Sequence, residues 1–369
     1  MKILQRIYGS KDYIKYLDGI RCVSIFAVIY HHFVRYYIVK DKMVEGSKLE
    51  FIGMDLFDLY ASSIYMFFSI TGFIIGLMFV KSYTETGRGI NLKKYYFRRL
   101  TRMEPPYLIL LTVFFLLNLY SQEKGGFSDL VSNFLASFFY VHNILFDPLL
   151  PVINGVLWTF ELQIQFYILA PLFAMIFKLP VHIRRVVFLV LTLFLSSAVN
   201  YIFHFEFRNI FQYIHYFILG FLIADIYYNY KGKIKSSLIF DFISLVCLYF
   251  AFAGGENMYW RLLLFTGIIL STEFSIYVRR FLELKWIVII GGMSYSVYML
   301  HQRVMFLFLN NFYFDKILWD NFYIDFVLKF IVTIFVILLC SALFFIFVER
   351  PTMKREWWKY RNLKKLFLE

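Results

Sequence analysis

Residues 62–80 of the chain read SSIYMFFSITGFIIGLMFV, nineteen consecutive residues without a charged side chain. A helix that crosses the hydrocarbon core of a bilayer needs about 20 predominantly apolar residues. Comparable runs recur along all 369 residues, which are 60% hydrophobic, 22% aromatic and 17% charged. Soluble domains are typically about 25% charged, so this composition excludes a soluble enzyme, a disordered chain and a secreted disulfide scaffold. The sequence predicts an all-α integral membrane protein.

Ten apolar segments are long enough to be spans, with boundaries that are approximate by several residues. They are residues 20–38, 62–80, 104–120, 156–177, 186–204, 209–228, 237–253, 259–276, 286–308 and 324–348. A further apolar piece at 131–146 is shorter and partly amphipathic. It is either an eleventh span or an interfacial or re-entrant helix.

The charges of the loops distinguish these topologies. If the short piece does not cross, 27 Lys and Arg residues lie on the side of the N-terminus and 8 on the opposite side. Cytoplasmic loops collect basic residues, so we predict ten spans with both termini in the cytoplasm. The net charge of +13 is then explained by loops and not by nucleic-acid binding. We divide the chain into a transmembrane domain (1–350) and a basic, aromatic cytoplasmic tail (351–369) that lies along the membrane surface.

The first span contains side chains that a bilayer normally excludes, in YLDGIRCVSIFAVIYHHFVR (16–35). A charged residue at the centre of a span costs at least about 2.5 kcal/mol, so it is by default a functional candidate. Arg21 and His32, eleven positions apart, are separated by about 20° around a helix and about 16 Å along it. We expect Arg21 near the cytoplasmic mouth and His32 deeper on the same face. The alternative is that Arg21 reaches lipid headgroups and His32 hydrogen-bonds a neighbouring helix.

A second basic feature, KKYYFRRLTRMEPPY (93–107), leads into the third span. Arg99 and Arg102 are three positions apart, so they share a helix face at the cytoplasmic surface. Guanidinium groups suit bidentate recognition of phosphate, which makes both residues candidates for binding a phosphorylated ligand. The alternative is ordinary topology-determining charge in contact with lipid.

The fourth and ninth spans also carry polar residues. Glu161 and Gln163 lie about 200° apart around a helix, so they cannot face the same site. In GGMSYSVYMLH (291–301), Tyr298 and His301 share a face, and Tyr295 lies on the same span. His301 is expected near the middle of the membrane, as a functional group or as a packed, hydrogen-bonded histidine.

Motifs of soluble enzymes are absent: the sequence has no GxGxxG, GxSxG, HExxH or CxxC. A metal site made of His31, His32 and His301 is disfavoured, because adjacent histidines point to different faces of a helix. The three cysteines all lie in apolar segments and are interpreted as buried thiols. We expect no metal and no redox cofactor.

Six blocks in order resemble the membrane acyltransferase 3 family of integral-membrane acyltransferases, and the resemblance covers nearly the whole chain. They are LDGIRCVSIFAVIYHH (17–32), MFFSITGFIIG (66–76), FRRLTRMEPPY (97–107), LWTFELQIQFYILAP (157–171), GGMSYSVYMLH (291–301) and FVERP (347–351). The first resembles the family's opening signature, in which an Arg is followed after ten residues by a His. The resemblance implies transfer of an acyl group, usually acetyl, from cytoplasmic acyl-CoA to a hydroxyl of a cell-surface polysaccharide or lipid-linked glycan. The expected location is the bacterial cytoplasmic membrane.

The resemblance also implies roles for the candidate residues. His32 is the expected general base, because an imidazole can take a proton from an attacking hydroxyl near neutral pH. Arg21 is assigned to the catalytic site, and together with Arg99 and Arg102 it is expected to bind the phosphates of acyl-CoA, the donor substrate. Tyr295 and His301 are expected to orient the acceptor or stabilise an oxyanion.

One position departs from the family pattern. The block that begins at Trp158 usually carries Glu five residues later, where this chain has Gln163, while Glu161 matches a variant with Glu three residues later. We include Glu161 among the expected catalytic residues on that basis. Some members also carry an extracytoplasmic SGNH-type domain, and this chain is expected to be a standalone form.

Two other function classes stay open. Ten spans with intramembrane His and Arg also suit a transporter or exporter of a glycan or lipid-linked substrate, although we find no inverted repeat. The replacement at Gln163 allows an inactive scaffold derived from the enzyme family. The sequence contains no signal for an oligomeric state.

Overall fold

The computed structural model describes residues 2–7, 13–39, 56–121, 126–146, 150–253, 257–313, 321–354 and 357. Within these ranges the regular structure is helical and contains no β-strand, which confirms the predicted all-α class. The α-helices are α1 (Lys15–Val39), α2 (Leu56–Thr86), α3 (Leu92–Ser121), α4 (Phe127–Phe138), α5 (His142–Leu145), α6 (Trp158–Ala174), α7 (Val181–Phe203), α8 (Ile214–Tyr230), α9 (Leu238–Ala253), α10 (Met258–Phe274), α11 (Tyr277–Leu282), α12 (Lys285–Gly292), α13 (Ser294–Phe308), α14 (Phe322–Phe344) and α15 (Arg350–Met353).

Within the described ranges, six helical segments are long and apolar enough to cross a membrane. They are Lys15–Tyr36, Leu59–Thr86, Leu92–Ser121, Gly155–Lys178, Val181–Phe203 and Tyr323–Met353. The other four predicted spans correspond to shorter helices: α8 and α10 have 17 residues each, α9 has 16, and the segment 286–308 is divided into α12 and α13. The structure therefore contains a helix at every predicted span, and length and composition identify six of them as candidate spans.

The ambiguous piece at 131–146 forms parts of two short helices. Helix α4 has 12 residues and α5 has 4. At about 1.5 Å per residue, α4 is about 18 Å long, which is well below the thickness of a bilayer core of about 30 Å. In the predicted tail, α15 ends at Met353, and beyond Lys354 the described residues include only Trp357. The rest of that predicted surface helix lies outside the described residues.

The chain divides into two compact units. The first unit comprises Met1–Tyr60, Thr101–Leu110 and Leu282–Glu369. Its centre is α1, which packs so closely against α12 that a Cβ atom at Gly291 would collide with the carbonyl oxygen of Asp18. On α14, the rings of Phe326 and Phe330 lie 5.2 and 5.1 Å from the ring of Phe33 on α1. Small residues on one side and aromatic rings on the other hold α1 in the middle of this unit.

The second unit comprises Ala61–Leu100 and Leu111–Phe281. Helices α2 and α8 pack backbone to backbone, because a Cβ at Gly72 would collide with the carbonyl of Phe217, and a Cβ at Gly220 with the backbone of Phe73. Phe217 in turn stacks on Phe166 of α6, with ring centroids 4.2 Å apart. Glycines and stacked rings thus fix three helices of this unit against one another.

Candidate functional site

The candidate site of the first unit is built around a pair of histidines on α1 and α13. The ring centroids of His32 and His301 lie 5.1 Å apart, with the ring planes tilted by 44°. His301 is completely buried, at 0% exposure. The Nε2 atoms of both rings are buried and have no hydrogen-bond partner among the described residues. Two imidazole rings, each with a buried nitrogen that can bind or release a proton, therefore lie side by side inside the unit.

A backbone hydrogen bond fixes the proton on His301. Its Nδ1 atom lies 2.7 Å from the carbonyl oxygen of Tyr298. A carbonyl oxygen can only accept, so Nδ1 must carry the hydrogen. In the neutral ring, Nε2 then bears a lone pair and is available to accept a proton. His301 thus presents a basic nitrogen into the unit's interior.

Aromatic rings form one side of the histidine pair. Tyr60, on the first turns of α2, stacks on His31 at a centroid distance of 4.5 Å and contacts His32 edge to face at 5.2 Å. The ring of His31 lies 5.1 Å from the ring of His32, with the two planes at 82° to each other. Among the described residues, no group of three or more His, Cys, Asp or Glu could hold a metal ion.

Arg21 lies about three turns before His32 on α1 and forms an ion pair with Asp18. Asp18 is buried and also accepts from the Tyr13 hydroxyl at 2.8 Å and from the Arg6 guanidinium at 3.4 Å. This arrangement fixes the guanidinium of Arg21 from one side. Arginine has five N–H donors, and only part of them is needed for Asp18, so the remainder can bind an anion.

The two candidate arginines of residues 93–107, Arg99 and Arg102, have different surroundings. The guanidinium of Arg99, in the second unit, lies 5.6 Å from the ring of Tyr95 and 5.3 Å from the ring of Tyr167. Arg102 belongs to the first unit, where its carbonyl oxygen accepts from the Thr352 hydroxyl at 3.1 Å. Cation–π contacts therefore orient the side chain of Arg99, whereas a backbone hydrogen bond anchors the helix at Arg102.

Glu161, in the second unit, is fully buried, at 0% exposure. One carboxylate oxygen accepts from the backbone N–H of His142 at 3.1 Å, and the other from the N–H of Asn143 at 2.8 Å. The side chain of Asn143 donates to the carbonyl of Trp158 at 2.9 Å. The carboxylate thus holds the short helix α5 against the start of α6, a structural task that occupies both of its oxygens.

Gln163 faces another direction from Glu161, as the helical spacing predicts. Its side-chain amide donates to the hydroxyl of Tyr167 at 2.7 Å. The ring of Tyr167 is the one that contacts the guanidinium of Arg99. The residue at the position where the family usually has Glu therefore orients the tyrosine beneath this arginine.

Tyr295 lies at the start of α13, in the first unit. Its hydroxyl donates to the backbone carbonyl of Met103 at 2.9 Å. This hydrogen bond ties α13 to the part of α3 that belongs to the same unit. The structure brings together His32 and His301 of the predicted set, and it gives Tyr295 a contact with the backbone of α3.

Several buried polar residues of the first unit were not predicted as site residues. Glu349 accepts from both the backbone N–H and the hydroxyl of Ser296, at the start of α13. On α14, Lys329 forms an ion pair with Asp325 at 2.7 Å. The available signals were weak: Glu349 lies in the FVERP block, and the charges of Lys329 and Asp325 are four residues apart in the last predicted span.

Comparison with known proteins gives the chain a family. It is 24% identical to the O-acetyltransferase OatA of Staphylococcus aureus (strain NCTC 8325 / PS 47) over 96% of this chain and 59% of that protein. It is 27% identical to the peptidoglycan O-acetyltransferase OatA of Listeria monocytogenes serovar 1/2a over 46% of this chain and 25% of that protein. The chain thus spans little more than half the length of the curated relatives that it matches over most of its own length. No solved structure matches it significantly. The acyltransferase domain of the acyltransferase 3 family matches residues 14–346, nearly the whole chain, and the chain belongs to this family of membrane acyltransferases.

Proposed function

We propose that the chain is an O-acetyltransferase that moves an acetyl group from cytoplasmic acetyl-CoA to a hydroxyl of a cell-surface polysaccharide or lipid-linked glycan. One observation supports the chemistry most directly. The Nε2 atoms of His32 and His301 are both buried and lack a hydrogen-bond partner among the described residues, with the rings 5.1 Å apart. An acceptor hydroxyl is the kind of group that can bind to such a nitrogen.

The reaction needs one proton acceptor and one proton donor. As the acceptor oxygen forms a bond to the thioester carbonyl carbon, its proton passes to Nε2 of His32. The carbon–sulfur bond then breaks, and the proton returns to the departing CoA thiolate. His301, whose Nδ1 hydrogen is held by Tyr298, offers a second basic nitrogen, which is proposed to accept from a neighbouring hydroxyl of the acceptor and so to orient it. Tyr295 supports this geometry by fixing the start of α13.

The donor brings phosphates, and the arginines are proposed to bind them. Arg21 is held by Asp18, so its guanidinium is ordered before the ligand arrives. Arg102 in the first unit and Arg99 in the second keep the phosphate-binding role that the sequence predicted for them. Glu161, whose oxygens bind backbone N–H groups, is proposed to shape the second unit.

We further propose ten crossings of the bacterial cytoplasmic membrane, with both termini in the cytoplasm. The distribution of 27 basic residues on one side and 8 on the other supports this topology, as does a helix at every predicted span. In this arrangement Arg21 lies near the cytoplasmic end of α1, and His32 lies deeper. A donor bound at Arg21 from the cytoplasm would then lie on the same helix as His32, toward its cytoplasmic end.

The proposal is tested by measuring ester-linked acetyl on envelope glycans of cells that lack the gene. The cells are complemented with wild-type protein, His32→Ala or His182→Ala, at matched levels in the membrane. His182 is an exposed histidine of α7, so its replacement controls for the loss of an imidazole. We expect wild type and His182→Ala to restore acetylation and His32→Ala to reduce it by about 100-fold or more, as general base catalysis requires.

Two results would contradict the proposal. Equal restoration by His32→Ala removes this histidine from the chemistry. If wild-type protein restores no acetyl, the exporter or the inactive scaffold becomes the better explanation.

A further inference from the structure

Residues 2–7 bring a second arginine to the carboxylate that holds Arg21. Arg6 lies just after the short 3-10 helix Lys2–Leu4, and its Nη1 atom lies 3.4 Å from Oδ1 of Asp18. Arg21 contacts the same oxygen through its own Nη1. Because one oxygen is shared, the two guanidinium groups lie side by side at the start of α1. The sequence did not predict Arg6 as a site residue.

The shared carboxylate carries less charge than the two arginines together. Arg6 and Arg21 contribute two positive charges, and Asp18, whose side chain is 1% exposed, contributes one negative charge. Next to them, Glu349 and Arg350 carry one charge of each sign, so they leave this excess unchanged. Like charges this close repel each other, and an added anion relieves that repulsion. The cluster therefore has the charge that an anion site needs.

Both guanidinium groups are accessible, in contrast to the carboxylate. The side chains of Arg6 and Arg21 are 20% and 12% exposed. An arginine has five N–H donors in a planar fork, and Asp18 engages Nη1 of each. Other donors of the same two forks can therefore bind a second anion while Asp18 stays in place.

Two contacts hold residues 2–7 at this end of the first unit. The Nε atom of Arg350 donates to the carbonyl of Gln5 at 3.3 Å. A Cβ atom at Gly292 would lie 3.6 Å from the Cβ of Arg6, so Arg6 lies at the break between α12 and α13. The backbone beside Arg6 is thus fixed before a ligand arrives, which reduces the entropy lost on binding.

We propose that Arg6 and Arg21 together bind the phosphate that begins the pantetheine arm of acetyl-CoA. Arg21 lies about three turns, or about 16 Å, before His32 on α1, a distance that an extended pantetheine arm spans. The thioester at the other end of the arm then lies toward His32. Two adjacent guanidinium forks suit a phosphate, which has more than one oxygen to accept from them. This assignment rests on the proposed function, because it takes acetyl-CoA as the donor.

The assignment is tested by a binding measurement without acetyl transfer. Radiolabelled acetyl-CoA is bound to the detergent-solubilised full chain and displaced by 4′-phosphopantetheine or by pantetheine, which differ in this phosphate alone. The proteins are wild type, Arg6→Ala, Arg6→Lys and Lys285→Ala. We expect wild type to bind 4′-phosphopantetheine about tenfold or more tightly than pantetheine, because the phosphate adds charge-assisted hydrogen bonds.

The variants separate a phosphate contact from a contact that only supports the fold. In Arg6→Ala most of the preference for the phosphate should disappear, while the affinity for pantetheine is unchanged. Arg6→Lys should recover part of the preference, because the charge is kept and the fork is lost. Lys285 is an exposed cation of the same unit, so Lys285→Ala is the matched control and should keep the full preference. A thermal midpoint for each variant identifies any that fails to fold.

Three results would overturn the assignment alone. An undiminished preference in Arg6→Ala removes Arg6 from the site. An equal loss of affinity for both ligands in that variant gives Arg6 a role in the fold only. A wild type that binds acetyl-CoA but does not distinguish the two ligands places this phosphate elsewhere. If wild type binds no acetyl-CoA, the donor of the proposed function fails as well, so the two failures give different results.

Discussion

At the scale of single residues, the hydrogen bond between His301 and the carbonyl of Tyr298 defines what His301 can do. Because Nδ1 must donate to that carbonyl, Nε2 is the basic atom, and it is buried without a partner among the described residues. A histidine placed only for packing would be expected to have both nitrogens satisfied. This unsatisfied nitrogen supports the proposed role of His301 over the packed histidine that the sequence also allowed.

We predict that His301→Gln abolishes most of the acetyl transfer. Glutamine keeps polar atoms in the same space but moves the accepting atom away from the position of Nε2, so the acceptor is misplaced and kcat is expected to fall by about 100-fold. The measurement is transfer from radiolabelled acetyl-CoA by the full chain in proteoliposomes, with KM for acetyl-CoA determined in parallel. A change confined to KM would contradict the catalytic role and indicate a contact with the donor.

Glu161 gives a second prediction at this scale. Each of its oxygens accepts from a backbone N–H of α5, and an amide in its place has only one acceptor. Glu161→Gln should therefore destabilise the fold by about 1–3 kcal/mol, because one buried N–H loses its partner. Thermal unfolding in detergent should show a lower midpoint, while transfer per folded molecule changes little. An unchanged midpoint together with lost transfer would instead make Glu161 a catalytic residue.

The sequence predicted the helix faces of Glu161 and Gln163 but not the hydrogen-bond partners of Glu161, for a physical reason. Helical periodicity relates residues on one helix, so it correctly assigned Glu161 and Gln163 to different faces. Periodicity contains no information about which distant segment of the chain packs its backbone against Glu161. The contacts of Glu161 with His142 and Asn143 depend on how residues 139–146 turn back, and that is a tertiary property.

At the scale of elements, α13 is the helix whose placement matters most. Its first turn is anchored by the buried carboxylate of Glu349, which accepts from the backbone N–H and the hydroxyl of Ser296. A negative charge at a helix N-terminus also interacts favourably with the helix dipole. The same C-terminal segment contacts α3, through hydrogen bonds from Thr352 and Trp357 to the carbonyls of Arg102 and Thr101. Both ends of this connection lie in the first unit.

We predict that Glu349→Ala impairs turnover through the position of His301. Loss of the anchor lets α13 shift, and small misplacements of a catalytic group reduce rates strongly. We expect kcat to fall about tenfold or more while KM for acetyl-CoA changes little, and Glu349→Gln to recover part of the loss, because its amide oxygen still accepts. Equal losses in Glu349→Gln and Glu349→Ala would mean that the charge itself, and not the anchoring hydrogen bonds, is required.

The break between α12 and α13 was not predicted, since residues 286–308 were expected to form one span. The structure ends α12 at Gly292 and begins α13 at Ser294. Gly291, just before the break, has no Cβ to keep the backbone of Asp18 away. Hydropathy reports only that a segment is apolar, and it is insensitive to a break within an apolar helix.

At the scale of the whole molecule, hydropathy and loop charge account for the all-α class and for a helix at every predicted span. They leave open how many of these helices cross. Helix α8 has 17 residues, so it is about 26 Å long, slightly less than the bilayer core of about 30 Å. The tyrosines at both of its ends, Tyr213 and Tyr230, suit membrane interfaces and would mark the ends of a crossing.

The crossing of α8 can be tested directly by labelling on either side of it. In a variant in which Cys22, Cys247 and Cys340 are replaced, single cysteines are introduced at Glu206, before α8, and at Lys233, after it; both positions are exposed. The ten-span topology puts Glu206 outside and Lys233 inside, because basic loops stay in the cytoplasm. We expect a membrane-impermeant maleimide to label Glu206→Cys on intact cells, and Lys233→Cys only after permeabilisation. Labelling of both positions on intact cells would mean that α8 does not cross. The proposed ten-span topology would then be wrong, while the contacts of the histidine pair within the first unit would stand.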